Sequence, residues 1–194
     1  MIIKDGAGSG SEARVNASNK LDIHGVTQSE ALYSIESGDG YNINTGLITA
    51  IASDSSLLYV KNNENKDLVI DTIFVAGFNG ITHSDDPYLT IRRNPTGGDL
   101  ISDATAVSSN VNRNFGSSNT LSVTAYKGKN GGTITGGDVL GIFALQQGAR
   151  DAFPINLIIS KGQSISLQLT VNLSSGSASY YAAMTCYLKN SNFK

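Results

Sequence analysis

The stretch "QSISLQLTVNL" (residues 163–173) decides the fold class. Ile165, Leu167, Leu169 and Val171 recur at every second position, with Ser164, Ser166, Gln168 and Thr170 between them. Successive side chains of a strand point to opposite faces, so this alternation predicts a half-buried β-strand with one apolar side. Just upstream lies "FPINLIISKG" (153–162), divided from it by the turn signal Lys161-Gly162. Downstream, the turn "SSGSAS" (174–179) leads into "YYAAMTCYLK" (180–189), which closes the set. In that last strand Tyr181 and Tyr187 share a face and Tyr180 takes the other. These tyrosines suit either the core or an interface, and the face that also carries Ala183 is expected to be the core face. Cys186 is expected as a small buried core residue rather than a nucleophile.

The pattern continues toward the N-terminus. "PYLTIRRN" (87–94) puts Tyr88, Thr90 and Arg92 on one face and Leu89, Ile91 and Arg93 on the other. Two adjacent arginines on opposite faces cannot form one clamp, and their simplest role is an edge-strand charge that blocks unwanted pairing. "LVIDTIFVAGF" (68–78) is the most hydrophobic run, and "SLLYVKN" (56–62) and "YNINTGLITAI" (41–51) precede it. "NTLSVTAYKG" (119–128) places Leu121, Val123 and Ala125 together, and Val139 to Leu145 forms one more apolar strand. Asn79-Gly80, "NPTGGD" (94–99) and the Gly-Gly pairs of "KNGGTITGGD" (129–138) read as turns. The single helix candidate is "SEALYSIES" (29–37), with Ala31, Leu32 and Ile35 at helical spacing, although a strand or loop fits there too. Many short strands between polar turns predict an all-β antiparallel sandwich, jelly-roll-like, rather than an α/β enzyme.

The 194 residues suffice for one domain plus an arm. The division expected is an extended N-terminal arm over residues 1–20 and a single β-sandwich over 21–194. Charged residues are 15% of the chain, against about 25% in ordinary globular domains. Ser, Thr, Asn and Gly supply the polarity, which suits surfaces that bury themselves at low desolvation cost. A net charge of −2 gives no basic excess and argues against a phosphate-backbone binder. One cysteine precludes an internal disulfide. "MIIKDGAG" (1–8) lacks the apolar core of a secretory signal, and no run approaches the ~18 apolar residues of a membrane span, so neither Sec export nor membrane insertion is expected.

Chemistry-bearing constellations are sparse. Gly6, Gly8 and Gly10 resemble a phosphate loop only in spacing, because no strand-to-helix context surrounds them. In "THSDDP" (82–87), His83, Asp85 and Asp86 combine two carboxylates with an imidazole, a set able to ligate a divalent cation. The same letters before proline are ordinary turn chemistry. The only other histidine is His24, and no G-x-S-x-G elbow occurs. A paired-carboxylate glycosidase is disfavoured by the absence of tryptophan and the scarcity of acids outside turns. No enzyme, cofactor or resident metal is expected, and a metal-dependent hydrolase or binding domain built on His83, Asp85 and Asp86 is the least favoured reading.

The opening stretch "KDGAGSGSEARVNASNKLDIHG" (4–25) is polar and glycine-laced. Apolar and basic points appear in it: Ile2 and Ile3 at the far end, then Arg14, Val15, Lys20, Leu21 and Ile23 toward the body. These seven residues are the candidate contacts of an arm that lies on a neighbouring subunit. Together with "GDGYNINTGLITAIASDSSLLYVKNNENKDLVIDTIFV" (38–75) and "KGQSISLQLTVNLSSGSASYYAAMTCYL" (161–188), the stretch "DGAGSGSEARVNASNKLDIHGVTQSEALYS" (5–34) resembles the small virion structural proteins of tailed bacteriophages. Among these it is most similar to the capsid decoration, or cement, proteins with a jelly-roll-like body. The resemblance implies a non-enzymatic protein made in the host cytoplasm. It would sit on the outer capsid surface, often as a homotrimer, and clamp adjacent major capsid protein subunits, with no direct nucleic-acid or membrane contact. The alternative is a tail, baseplate or fibre-head module that binds glycans.

Overall fold

The computed structural model describes residues 2–4, 12–15, 21–22, 29–50, 54–78, 87–99, 105–106, 111–146, 150–171 and 178–189. Its elements run β1 (Ile2–Lys4), β2 (Glu12–Val15), β3 (Leu21–Asp22), α1 (Glu30–Glu36), β4 (Gly40–Asn44), β5 (Ile48–Ala50), β6 (Asp54–Asn62), β7 (Leu68–Phe78) and β8 (Tyr88–Arg93). There follow β9 (Gly97–Gly98), β10 (Thr105–Ala106), β11 (Val111–Asn112), β12 (Val123–Lys127), β13 (Ile134–Thr135), β14 (Asp138–Ala144), β15 (Arg150–Ile159), β16 (Ser164–Thr170) and β17 (Ala178–Leu188).

Eight of these strands define the body. Taken in chain order, β4 pairs with β17, β6 with β16, β7 with β15 and β8 with β14, all antiparallel. The first strand thus meets the last, the second meets the seventh, and so inward, as when one long hairpin is rolled up. That is the jelly roll, with sheets ordered β4-β17-β7-β15 and β6-β16-β8-β14. The all-β sandwich expected from the alternation is what the chain forms.

The core lies between the two sheets. Ile165, Leu167, Leu169 and Val171 are all buried, as their period-two spacing requires, and they meet Leu58, Ile91 and Met184 from other strands. Burying each such side chain is worth about 1.5–3 kcal/mol. In β7 the alternation breaks. Thr185 of β17 sits opposite Thr72 and Cys186 opposite Ile70, so Asp71 bulges out of the ladder. The bulge switches parity, and Leu68, Ile70, Ile73 and Val75 all stay buried. Asp71 then turns outward, and its carboxylate accepts the Thr185 hydroxyl at 3.2 Å.

The inner face of β17 carries Tyr180, Ala182, Met184, Cys186 and Leu188. This corrects the expectation that the Ala183 face is the core: Tyr181, Ala183 and Thr185 are only partly buried. A small alanine does not mark the inside, whereas the phase of Met184 and Cys186 does. Cys186 is indeed a buried core thiol, and burial pushes its pKa up to about 12. Tyr187 is buried on the other side, and burial followed by the Glu30 and Asp71 carboxylates raises its pKa.

Helix α1 forms in the stretch with helical spacing. The Ser29 hydroxyl caps it by accepting the Leu32 N–H at 3.2 Å, and Glu30 in the first turn complements the helix dipole. Gly38, at φ +81°, ends it in a conformation that side chains disfavour. The run "YNINTGLITAI" is two strands rather than one. At the break, Thr45 Oγ1 accepts the Ala182 N–H at 3.0 Å and so replaces a missing ladder bond.

Residues 94–137, the weakest part of the sequence pattern, form a long connection between β8 and β14. It adds β12 beside β6, with β10 outside it, and adds β11 beside β4 on the other sheet. Its two ends pair as the small antiparallel β9–β13 sheet, and Ile134 of β13 packs with Tyr59 and Tyr126 in a separate small cluster. The close approach of the connection to the sheet requires Gly128, where a Cβ would lie 1.8 Å from the Ser56 carbonyl oxygen. Arg92 and Arg93 also need correction. β8 lies between β16 and β14, so it is not an edge strand, and the edge is β14. Arg93 instead pairs with Asp138 of that edge at 2.5 Å, with both side chains more than half exposed. Such a pair contributes about 0–1 kcal/mol and orients the strand ends more than it stabilises them.

Candidate assembly interface

The two exposed edges on one side of the sandwich are β14 and β15, the adjacent strands of the rolled hairpin. Both are blunted. β14 has an irregularity at Leu140, and β15 has Pro154 and an irregularity that places Asn156 at φ +47°. Edges modified in this way resist indiscriminate pairing. They nonetheless carry aliphatic side chains in water: Val139, Leu140, Ile142 and Ile158 are exposed, with Ile142 at 63%.

These side chains fall into two surfaces. On the outer face of the β6-β16-β8-β14 sheet, Val139, Ile142 and Ala144 stand opposite Arg92, Thr90 and Tyr88. Directly opposed and diagonal neighbours on one face touch, so Ile142, Ala144 and Tyr88 make one apolar strip. The second surface is a groove of about 460 Å³ where the two sheets' edges part. Leu140, Leu157, Ile158 and Ile165 line it, and Arg93 and Lys161 stand among its lining residues. Behind β14 and β15, Phe143 and Phe153 stack at a tilt, 4.9 Å between centroids, and fix the spacing of the two edges.

A third exposed feature lies on the opposite side. Phe115, 94% exposed, projects from the turn after β11. The turn is held by side-chain amides: Asn112 Oδ1 accepts the Asn114 N–H at 2.9 Å, and Asn114 Oδ1 accepts the Gly116 N–H at 3.1 Å. The Asn114 and Asn112 amides then donate to the Glu36 and Gly38 carbonyls at 2.9 and 2.7 Å, which fastens the turn to the end of α1.

A polar cleft of about 490 Å³ lies near the same helix. Asp39, Glu64, Asn65 and Asn119 line it, with Tyr41 among the lining residues. The Tyr41 hydroxyl is buried and has no hydrogen-bond partner among the described residues. Burial, then the Asp39, Glu64 and Cys186 charges, raise its pKa to about 12, so it stays a neutral donor. Lys66 neutralises Asp39 at 2.9 Å, and Glu64 accepts the Ser122 N–H at 2.5 Å.

The arm candidates divide in two. Ile2, Ile3, Arg14, Val15 and Leu21 lie in β1, β2 and β3, which form a three-stranded antiparallel sheet of their own. Its register sets Ile2 opposite Arg14 and Val15 opposite Leu21. Lys20 and Ile23 lie outside the described residues, as do Gly6, Gly8, Gly10, His24, His83, Asp85 and Asp86. Among the described residues no group of three His, Cys, Asp or Glu side chains is placed to hold a metal ion, and no helix is long and apolar enough to cross a membrane.

Sequence reasoning passed over Tyr88–Ile142, the groove and Phe115. A signal for the first two exists: "VLGIF" and "NLII" are apolar at both parities, as strands buried on both faces are. At an edge the same composition leaves apolar groups in water. Scans for a matching family model and for similar curated proteins both return nothing.

Proposed function

We propose that the chain is a non-enzymatic structural protein of a tailed-phage virion. It binds the outside of the capsid and stabilises contacts between major capsid subunits, as the resemblance of its arm, core and closing stretch (161–188) implies. The observation that carries the assembly part is the Tyr88–Ile142 strip, apolar side chains held in water on a six-stranded sheet. Isolated apolar residues on a surface are ordinary, but a contiguous strip on an edge strand marks a contact. The polar, charge-poor composition supports the same reading, because such surfaces desolvate cheaply. The test is the copy number and position of the chain in intact particles, by quantitative mass spectrometry and labelling. Copies comparable in number to the shell subunit and spread over the head are expected. A few copies confined to the tail would overturn the capsid assignment.

One observation favours a second reading, a tail, baseplate or fibre-head module that binds glycans. The cleft of Asp39, Glu64, Asn65 and Asn119 offers donors and acceptors, with the Tyr41 hydroxyl, unpartnered among the described residues, beneath. A glycan array probed with wild type and Tyr41→Phe tests it. Signal that disappears in the variant would support this reading, and a blank array would remove it.

A further inference from the structure

We infer that copies of this chain associate head to tail, with Phe115 of one copy seated in the β14/β15 groove of the next. The contact needs no capsid, so it stands apart from the virion reading and goes beyond it.

The knob is preorganised. An aromatic side chain 94% exposed on a free loop would be unremarkable, but this turn is fixed by hydrogen bonds from Asn112 and Asn114 and by the Arg113 N–H to the Gly40 carbonyl at 2.8 Å. The ordering cost that usually weakens loop contacts has therefore been met in the fold. Aromatic side chains, Phe among them, are enriched at protein interfaces.

The groove matches it. Its floor is aliphatic, from Leu140, Leu157, Ile158 and Ile165, and its volume of about 460 Å³ admits a phenyl ring with neighbouring backbone. Ile158, one of these lining residues, is 56% exposed.

Geometry excludes the chain's own Phe115 as occupant. The sheet that holds β4 and β17 runs β11-β4-β17-β7-β15, so the knob follows one edge strand and the groove borders the other. Four inter-strand steps of ~4.8 Å separate them by about 19 Å. The occupant is a second molecule.

Charge agrees with a second copy. The helix to which the knob is fastened carries Glu30 and Glu36 and no basic residue. The groove carries Arg93 and Lys161. Counting Arg113 with the knob leaves two acids against one base, and counting Asp138 with the groove leaves two bases against one acid. One net negative charge thus approaches one net positive. A contact between different patches is heterologous, and it propagates until a rotation closes the ring.

The test uses the full-length chain in analytical ultracentrifugation over a concentration series. Wild type is expected to associate, while Phe115→Asp and Ile158→Asp each sediment as monomers. Both positions are exposed, and circular dichroism confirms that each variant is folded. Mixing the two variants is decisive. Phe115→Asp keeps an intact groove and Ile158→Asp an intact knob, so the mixture should form a heterodimer and nothing larger. A monomeric wild type, an association untouched by Phe115→Asp, or a mixture that stays monomeric would each overturn the inference. Because no capsid is present, none of these results bears on the virion reading.

Discussion

Asn62 reaches across the sandwich to Ile159. Its amide nitrogen, at the end of β6 in one sheet, donates to the Ile159 carbonyl at the end of β15 in the other, at 2.8 Å. The same nitrogen donates to the Lys66 carbonyl at 2.9 Å, and Asn62 Oδ1 accepts the Glu64 N–H at 2.8 Å. One fully buried side chain therefore clamps the β6–β7 turn and ties it to the opposite sheet.

Replacing Asn62 by Ala should be among the more damaging polar substitutions. It leaves two carbonyls and one N–H without their partner, and each buried group stranded in this way costs about 1–3 kcal/mol. Partial access of water at the turn lowers the sum, so a loss of about 2–4 kcal/mol in urea unfolding is expected. A change within 0.5 kcal/mol, about what an ordinary surface substitution gives, would show that the clamp carries no weight.

Gly128 sets how the long connection meets the body. Its N–H donates to the Leu57 carbonyl at 2.7 Å, and a Cβ would strike the Ser56 backbone. Gly128→Ala must push the connection outward, at a cost of about 1–3 kcal/mol or more. Hydrogen exchange should quicken in Val123–Lys127, which pairs with β6, while β16 in the core keeps its protection. Equal quickening in both would mean that the connection and the sandwich unfold as one unit.

These two positions show what was legible in the sequence. The inner face of β16 could be read because four apolar residues alternate without interruption, and that depends on local geometry alone. The phase of β7 could not be read, because the bulge at Asp71 answers to its neighbours β17 and β15 rather than to its own sequence. The same holds for residues 94–137, whose short strands gain their identity from edges supplied by β4 and β6. Arg92 and Arg93 looked like edge charges because the rank of a strand within a sheet is a property of topology. As for the candidate surfaces, Phe115 is one aromatic in a polar turn, and only the surrounding amide bonds distinguish it from any loop phenylalanine.

Alkaline pH should weaken the fold through two buried acids. Cys186 is shifted from 9.0 to about 12 by burial, and Tyr41 from 10.0 to about 12 by burial and by the nearby Asp39 and Glu64 carboxylates. Both raised groups hold their protons longer in the folded state than in the unfolded one. Their contribution is therefore complete below the unfolded pKa values and is lost as pH rises through the folded ones. Urea midpoints should stay level through neutral pH and then fall between about pH 9 and 12, less steeply in Cys186→Ala. A disulfide reagent such as DTNB should label Cys186 only in denaturant. Rapid labelling of the folded chain at neutral pH would contradict the burial on which the Cys186 shift depends.

Ile142→Asp separates docking to a shell from self-association. The residue lies on the outer sheet face beside Tyr88, away from the groove lined by Leu140 and Ile158. At 63% exposure its replacement should alter stability by no more than about 0.5 kcal/mol. If the strip is the capsid contact, a carboxylate there becomes buried without a partner, and anchors of this kind cost ~2 kcal/mol or more when lost. That corresponds to at least about thirtyfold weaker binding to undecorated capsids in a cosedimentation assay. Head-to-tail association of the same variant should be unchanged, since neither Phe115 nor the groove is touched. Unaltered capsid binding would remove the strip from the proposed contact and leave the arm, with Ile2, Ile3, Arg14 and Val15, as the remaining candidate to truncate.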